Sequence, residues 1–318
     1  MDAIALRTNV NLLAHLLCIR IFIVFEFVEH DLKTLLTTFE SPFMLSEIKT
    51  LMQQLLRAVA MLHSQWIIHR DLKTSNLLLN NRGILKLADF GLARLYGDPP
   101  LQGERGRMTD LVVTLWYRAP ELLLGAKQYN VAIDVWAVGC IMAELLLGEP
   151  LFPGKNENDQ IVRIFKLLGQ PTTTSWPELR NLPLYTRFCS KTIAQPYSLL
   201  RQKRFASQVT SSSSSGPGGT PACLDLLHRL LTYDPSRRIT AAEALEHDWF
   251  TREEPRPAHP DTLGSWPSVA AGHAQAVAHR RRRRAREEQE TTPDAPAKRR
   301  AVDGPRSIGS EYSLDLGF

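Results

Sequence analysis

The stretch HRDLKTSN at residues 69–76 is followed by DFG at 89–91 and by APE at 119–121. Between the first two motifs, apolar runs at 77–79 and 84–87 flank Asn-Asn-Arg-Gly, a sequence typical of a hairpin turn. We expect this hairpin to return the chain so that Asn76 and Asp89 face one site. A single tripeptide of this kind is a weak signal, but three in this order and in these local contexts argue against chance.

The polar residues of these motifs suit the transfer of a phosphoryl group. That reaction needs an acceptor for a hydroxyl proton, oxygen ligands for Mg²⁺, and cations where negative charge develops. We assign Asp71 as the base and Lys73 as a cation near the γ-phosphate of ATP. Asn76 and Asp89 carry oxygen donors of the kind that Mg²⁺ prefers, and we assign both as metal ligands.

From about residue 9 to residue 250 the chain resembles the eukaryotic serine/threonine protein kinases. The segments VVTLWYRAPELLLG at 112–125, DVWAVGC at 134–140 and PLFPGK at 150–155 are similar to those of cyclin-dependent kinases. VEHDLK at 28–33 and GAKQY at 125–129 are most similar to the PITSLRE branch. The resemblance implies an α+β fold with a mainly helical large lobe, and transfer of the ATP γ-phosphate to serine or threonine before proline.

The same resemblance assigns nucleotide-binding roles position by position. They fall on the gatekeeper Phe25, the hinge residues Glu26 and Val28, Asp31 near the ribose, Leu78 and Ala88 below the purine, and Asp89. The implied partners on this side are ATP and Mg²⁺.

Substrate binding and regulation are assigned in the same way. The pocket that favours proline after the phosphoacceptor is implied at Val113 and Arg118, and Thr114 is implied to pair with Asp71 as Lys73 does. Thr109 matches an activating phosphorylation site, and its phosphate would pair with two arginines, Arg70 and Arg94. Asp134 is expected to brace the backbone of the catalytic loop, and Glu121 to pair with Arg238. The implied partners are proteins with Ser/Thr-Pro sites, a cyclin, and a kinase acting on Thr109.

The sequence divides into three parts. Residues 1–28 are interpreted as a remnant of the kinase small lobe, 29–250 as the large lobe with a Ser/Gly-rich insert at 210–220, and 251–318 as a disordered basic tail. Within the lobes, the run 21–28 predicts a buried strand and the apolar segment 132–147 a buried central helix that ends at Gly148. Further helices are expected after a cap at Ser46, at 159–168 and at 224–231.

The chain departs from the family pattern near its start. No G-x-G-x-x-G occurs and no lysine precedes Lys33, so the phosphate-binding loop, the strand lysine and most of the cyclin-contacting helix are expected to be missing. These departures predict very low kinase activity for the chain as written. Two interpretations remain open: an active kinase whose start is incomplete, or a large lobe that serves as a regulator or partner-binding module without catalysis.

The amino-acid composition indicates which broad class of protein the chain belongs to. Apolar residues make up 44% and charged residues 22%, as in soluble globular proteins. Acidic and basic residues nearly balance before Thr251, so a nucleic-acid partner is not expected from the net charge of +5. The apolar run 12–28 carries His, Arg and Glu, which favours buried strands over a membrane span. Four widely spaced cysteines indicate neither a zinc site nor a disulfide framework.

Two basic clusters, Arg280–Arg284 and 298–300, are typical of a bipartite nuclear-import signal. Nucleic-acid contact and plain solvated charge are the alternative interpretations of these clusters. The expected location is therefore the nucleus, or nucleus and cytoplasm together.

Overall fold

The structure is a computed structural model that describes residues 23–38, 43–96, 114–189 and 221–263. All of these residues fall in the first of two units, Met1–Val269. Several predicted features lie outside the described residues: the region 1–22, Thr109, Val113, the insert at 210–220, and both basic clusters.

The described elements are mainly helical. The helices are α1 Leu32–Thr38, α2 Leu45–Ser64, α3 Pro120–Leu123, α4 Ala132–Leu147, α5 Glu157–Leu168, α6 Tyr185–Cys189, α7 Pro221–Leu230, α8 Ala241–Leu245 and α9 Asp248–Thr251. The strands are β1 His30–Asp31, β2 Ile67–Ile68, β3 Leu77–Leu79, β4 Leu85–Leu87 and β5 Arg94–Leu95. Antiparallel pairing gives one sheet in the order β1-β3-β4 and a second from β2 and β5. None of the helices in the described part of the chain is long and apolar enough to cross a membrane.

Helix α4 forms the centre of the hydrophobic core. Its residues are apolar nearly all round and buried from Ala132 to Leu146, so it is covered on all sides, chiefly by α2 and α7. Gly139 allows the close approach of the end of α7, because a Cβ there would lie 3.0 Å from Cβ of Leu230 and 2.8 Å from a methyl carbon of Leu231, the residue that follows the helix. Gly148 ends the helix at φ +75, a conformation that glycine adopts without steric cost. The predicted central helix is confirmed.

The hairpin between the first two sequence motifs is also confirmed. Leu77 pairs with Leu87 and Leu79 with Leu85 across the antiparallel strands β3 and β4. Asn80 organises the turn, since its Oδ1 accepts the backbone N–H groups of Arg82 and Ile84 at 3.0 and 2.9 Å.

Two local predictions were wrong. Residues 23–28 form no strand, and Ile23 to Phe27 are exposed. The reason is that β1 pairs with β3 only at His30–Asp31, and the apolar run before β1 has no neighbouring strand among the described residues. Ser46 does not cap α2. The helix starts at Leu45, and the Glu47 carboxylate reaches back to accept the Met44 N–H at 2.7 Å, which puts Ser46 inside the first turn.

The structured region continues beyond residue 250, where the sequence predicted the start of a disordered tail. Residues 252–263, here called the C-terminal strap, run along the first half of α2. The backbone N–H of Ala258 donates to the carbonyl of Ser46 at 3.1 Å, and the buried ammonium of Lys49 donates to the carbonyl of Glu253 at 2.9 Å. The strap ends at Leu263, which is buried in the core. These long-range contacts order a segment whose composition alone resembles a disordered chain.

Candidate active site

The backbone of the HRD stretch is held by the carboxylate of Asp134. Oδ2 of Asp134 accepts the N–H of His69 at 2.8 Å, and Oδ1 accepts the N–H of Arg70 at 2.9 Å. Asp134 is buried in the first turn of α4, where the positive end of the helix dipole stabilises its charge. The two bonds hold Arg70 at φ +69, an uncommon conformation for a residue with a side chain. The predicted bracing role of Asp134 is confirmed.

Asp71, Lys73 and Asn76 converge in the structure. The Lys73 ammonium lies 2.6 Å from Oδ2 of Asp71. The Asn76 amide nitrogen donates to the Asp71 carbonyl at 2.9 Å and lies 3.3 Å from Oδ2. Oδ1 of Asp71 is buried and has no hydrogen-bond partner among the described residues. A buried carboxylate oxygen without a donor is costly, so Oδ1 suits an incoming hydroxyl proton.

The hairpin brings Asp89 towards this group. The N–H of Ala88, the preceding residue, donates to the backbone carbonyl of Asn76 at 2.9 Å. Asp89 adopts φ +61, its Oδ1 accepts the Gly91 N–H at 3.2 Å, and its side chain is exposed. The amide nitrogen of Asn76 faces Asp71, so the amide oxygen of Asn76 points the other way and can coordinate a cation. An amide oxygen and an exposed carboxylate fit Mg²⁺, which typically binds one or two protein carboxylates together with substrate phosphates.

His69 supports the catalytic loop from beneath. It is fully buried, its Nε2 lies 3.1 Å from the Ala88 carbonyl, and its Nδ1 accepts the Asp71 N–H at 3.3 Å. This pattern assigns the neutral tautomer with the proton on Nε2. Burial lowers the pKa of His69 below its ordinary value of 6.5.

The residues assigned to the nucleotide are only partly brought together. Asp31 lies opposite Leu78 in the β1–β3 ladder, and it caps α1, since its two carboxylate oxygens accept the Thr34 N–H and hydroxyl at 2.8 and 2.7 Å. Glu26 pairs with Lys86 of β4 at 2.6 Å. Val28 is half-buried, but Phe25 is 81% exposed and the described residues do not enclose it.

On the substrate side, Arg118 forms an ion pair with Glu157 at the start of α5. Thr114 begins the described segment that contains Arg118. Among the described residues, the hydrogen bonds of the Asp71 carboxylate come from Lys73 and Asn76 and not from Thr114. The guanidinium of Arg70 donates through Nε to the Leu92 carbonyl at 2.5 Å and through Nη1 to the Tyr129 hydroxyl at 2.8 Å. Its buried Nη2 has no partner in the described part of the chain.

Arg94, the second arginine assigned to the Thr109 phosphate, is exposed in β5. It lies opposite Ile68, two residues before Arg70 along the chain. Arg94 is therefore carried by the strand that pairs with β2, and β2 leads into the loop that contains Arg70. Nη2 of Arg70 is a donor that suits an anion.

Two further contacts stand out around the site. The predicted pair of Arg238 and Glu121 is confirmed as a buried, bidentate ion pair with distances of 2.8 and 3.0 Å.

Sequence reasoning missed Glu144, which accepts a 2.6 Å hydrogen bond from the Tyr117 hydroxyl and lies close to Thr74 and Lys33. The signal for Glu144 was present in the sequence, because it is one of only two charged residues in the apolar segment 132–147.

Comparison with known proteins gives a consistent assignment. The family model of the protein kinase domain matches residues 18–250. Cyclin-dependent kinase G-1 of Oryza sativa subsp. indica is 50% identical over 269 residues, which cover 85% of this chain and 37% of that protein. Human cyclin-dependent kinase 11B is 50% identical over 249 residues, which cover 78% of this chain and 29% of that protein. The chain thus spans about a third of the length of these curated relatives.

A solved structure agrees in fold. The yeast RNA Pol II CTD kinase CTDK-1 complex contains a chain with a TM-score of 0.63 and 38% identity, covering 74% of this chain and 71% of the matched one. The predicted fold class is confirmed by this match and by the family model. The chain belongs to the protein kinase family, within its cyclin-dependent branch.

Proposed function

We propose that the chain carries the catalytic lobe of an ATP-dependent kinase that phosphorylates serine or threonine, with a preference for sites followed by proline. The observation that carries this proposal is the state of Asp71. One of its oxygens is bound to Lys73 at 2.6 Å, while the other is buried and has no partner among the described residues. A site of this construction is suited to accept a proton from a hydroxyl group that enters it.

In the proposed reaction, Oδ1 of Asp71 accepts the proton of the substrate hydroxyl as the hydroxyl oxygen attacks the γ-phosphorus. The bond from that phosphorus to the β,γ-bridging oxygen breaks, and ADP leaves. Lys73 holds Oδ2 of Asp71 and supplies positive charge where the transferring group becomes more negative. Mg²⁺, held by Asn76 and Asp89, would neutralise charge on the phosphates of ATP.

Regulation and partners follow from the same family. The matched relatives are named cyclin-dependent kinases, and we include a cyclin among the proposed partners of this chain. Thr109 is the proposed activating phosphorylation site, with Arg70 and Arg94 as the cations that receive its phosphate. Within the described ranges Nη2 of Arg70 has no hydrogen-bond partner, which supports this assignment.

A second candidate function is a module that binds protein partners without catalysis. It is favoured by the exposure of residues 23–27 and of Phe25 in particular, because a nucleotide pocket requires an enclosed adenine site. The two candidate functions differ in whether the chain can bind the purine of ATP next to Asp71, Lys73 and Asn76.

The decisive experiment incubates the purified chain with ATP, Mg²⁺ and a peptide containing one Ser-Pro site. Matched peptides carry Ser-Ala or Ala-Pro in place of Ser-Pro. Phosphorylation of the Ser-Pro peptide that disappears in Asp71→Asn, but persists in Asp261→Asn on the surface, would support the kinase proposal. Because the departures near the start of the chain predict a low rate, transfer is measured against the background of Asp71→Asn. Transfer no faster than in Asp71→Asn, together with retained binding of the peptide, would favour the binding module.

A further inference from the structure

Glu144 is a buried carboxylate on the otherwise apolar helix α4. It is 1% exposed, so its charge must be satisfied by protein groups. Its Oε2 accepts the Tyr117 hydroxyl at 2.6 Å, and its Oε1 lies 3.3 Å from both the Lys33 ammonium and the Thr74 hydroxyl. Three residues from separate parts of the chain therefore meet at the Glu144 carboxylate.

The proton positions within this group follow from its surroundings. Burial, reinforced by the negative charge of Glu144, raises the pKa of Tyr117, so the phenol stays protonated and donates to Oε2. Thr74 then has one hydroxyl proton and two acceptors, the Tyr117 oxygen at 3.1 Å and Oε1 of Glu144 at 3.3 Å. Because Thr74 is only 1% exposed, solvent cannot supply an alternative partner.

The hydroxyl groups of Thr74 and Tyr117 belong to two loops whose relative position matters for a phosphorylation reaction. Thr74 directly follows Lys73 and begins the turn that ends at Asn76. Tyr117 ends the turn Leu115–Tyr117 and directly precedes Arg118. A shift of either loop would lengthen the hydrogen bonds of Thr74. The loop that carries the base is thus connected to the loop that carries the peptide-binding residues.

We propose that Thr74 is a positioning residue that couples the loop of Asp71 and Lys73 to the loop of Thr114 and Arg118 through Tyr117 and Glu144. Thr74 touches neither substrate nor nucleotide in this role. Its catalytic meaning rests on the proposed kinase function, but the coupling itself is a property of the folded chain. Amide exchange measures the coupling without turnover, so failure of the coupling and failure of the kinase proposal are distinguishable.

The test follows hydrogen–deuterium exchange in the full chain at two reporter amides. The Asn76 N–H is bonded to the Lys73 carbonyl at 3.0 Å, and the Arg118 N–H to the Leu115 carbonyl at 3.1 Å. Thr74→Val keeps the side-chain shape and removes the hydroxyl. We expect exchange at both amides to rise roughly two- to tenfold, the range that one intramolecular hydrogen bond supports, and Thr74→Ser to restore most of the protection.

Thr50→Val is the matched control for loss of a buried threonine hydroxyl. Thr50 is also buried, and its hydroxyl donates to the carbonyls of Ser46 and Ala258 at 3.0 and 2.7 Å. The control should accelerate exchange at Ala258 and leave Arg118 unchanged.

Tyr117→Phe provides the reciprocal measurement, and it keeps the proposal testable if Thr74→Val does not fold. Loss of the phenol should accelerate exchange at Asn76, and the double variant should exceed the larger single effect only slightly, because both changes break one connection. The proposal is overturned if Arg118 exchange stays unchanged in Thr74→Val, if Thr74→Ser fails to restore protection, or if Tyr117→Phe leaves Asn76 unaffected.

Discussion

The ammonium nitrogen of Lys73 lies 2.6 Å from Oδ2 of Asp71, and this contact leaves Oδ1 of the same carboxylate buried and without a partner among the described residues. The pair therefore presents one neutralised oxygen and one available oxygen. Asn76 fixes the arrangement by donating to the Asp71 carbonyl at 2.9 Å. This asymmetry of the carboxylate supports the proposed role of Asp71 as a directed proton acceptor.

Replacement of Lys73 tests the charge contributed by this pair. We expect Lys73→Met to lower kcat for a Ser-Pro peptide by about 10²–10³-fold, as loss of one charge-stabilising group does in other enzymes. Lys73→Arg should retain part of the rate because the charge is kept. Lys166→Met, which changes an exposed lysine of α5, is the control. Full activity of Lys73→Met would contradict the role.

The arginine assignment predicts a response to phosphorylation of Thr109. A phosphate adds nearly two negative charges that Arg70 and Arg94 can pair. We expect phosphorylated chain to exchange amides more slowly than Thr109→Ala at 92–96 and 114–118, and Arg94→Ala to remove most of that protection. Arg252→Ala, at an exposed site in an ion pair with Asp248, should leave it intact. Equal exchange with and without the phosphate would refute the switch.

The ion pair of Arg238 and Glu121 should contribute strongly to stability. Both side chains are almost fully buried, so Arg238→Ala leaves an uncompensated charge and should lower the free energy of unfolding by about 3–5 kcal/mol. The exposed pair of Arg229 and Asp225 offers the comparison, since Arg229→Ala should cost only about 0.2–1 kcal/mol. Urea unfolding of both variants measures the difference. Similar losses would show that burial is not decisive here.

His69 should make the free energy of unfolding decrease as the pH falls below 6.5. Its folded-state pKa is lowered by burial, so below 6.5 the unfolded chain binds a proton that the folded chain does not. The contribution is complete above pH 6.5 and is lost on acidification, by up to about 1.4 kcal/mol per pH unit. Unfolding free energies at pH 7.5, 6.5 and 5.5 should show a shallower slope for His69→Gln, and an unchanged slope for His259→Gln at an exposed site. An equal slope in His69→Gln would exclude this histidine as the cause.

The C-terminal strap should be held chiefly by Lys49. This residue is completely buried, donates to the Glu253 carbonyl at 2.9 Å and lies 5.4 Å from the centre of the Trp249 ring. Lys49→Met leaves the Glu253 carbonyl without that donor and should cost about 1–3 kcal/mol in urea unfolding. Lys86→Met breaks only an exposed pair with Glu26 and should cost about 0.2–1 kcal/mol. A loss in Lys49→Met no larger than in Lys86→Met would mean that the strap is held elsewhere.

The sequence by itself determined the features that depend on neighbouring residues. The extent of the helix Ala132–Leu147, its end at Gly148 and the hairpin around Asn80 all follow from local patterns that act within a few residues. The motif HRDLKTSN identified Asp71, Lys73 and Asn76 before any contact was known. They converge in space because the loop is short, its start is bonded to Asp134 and its end leads into the paired strands of the hairpin.

Only the tertiary structure decided the features that join distant segments. The strap beyond residue 250 is ordered by Lys49, some two hundred positions earlier in the chain, and no local signal in a Pro- and charge-rich stretch could predict that contact. The meeting of Thr74 and Tyr117 at Glu144 likewise depends on how α4 packs against two separate loops. Local propensity fixes where elements begin and end, whereas the burial of a charged side chain is settled by the partners that folding brings to it.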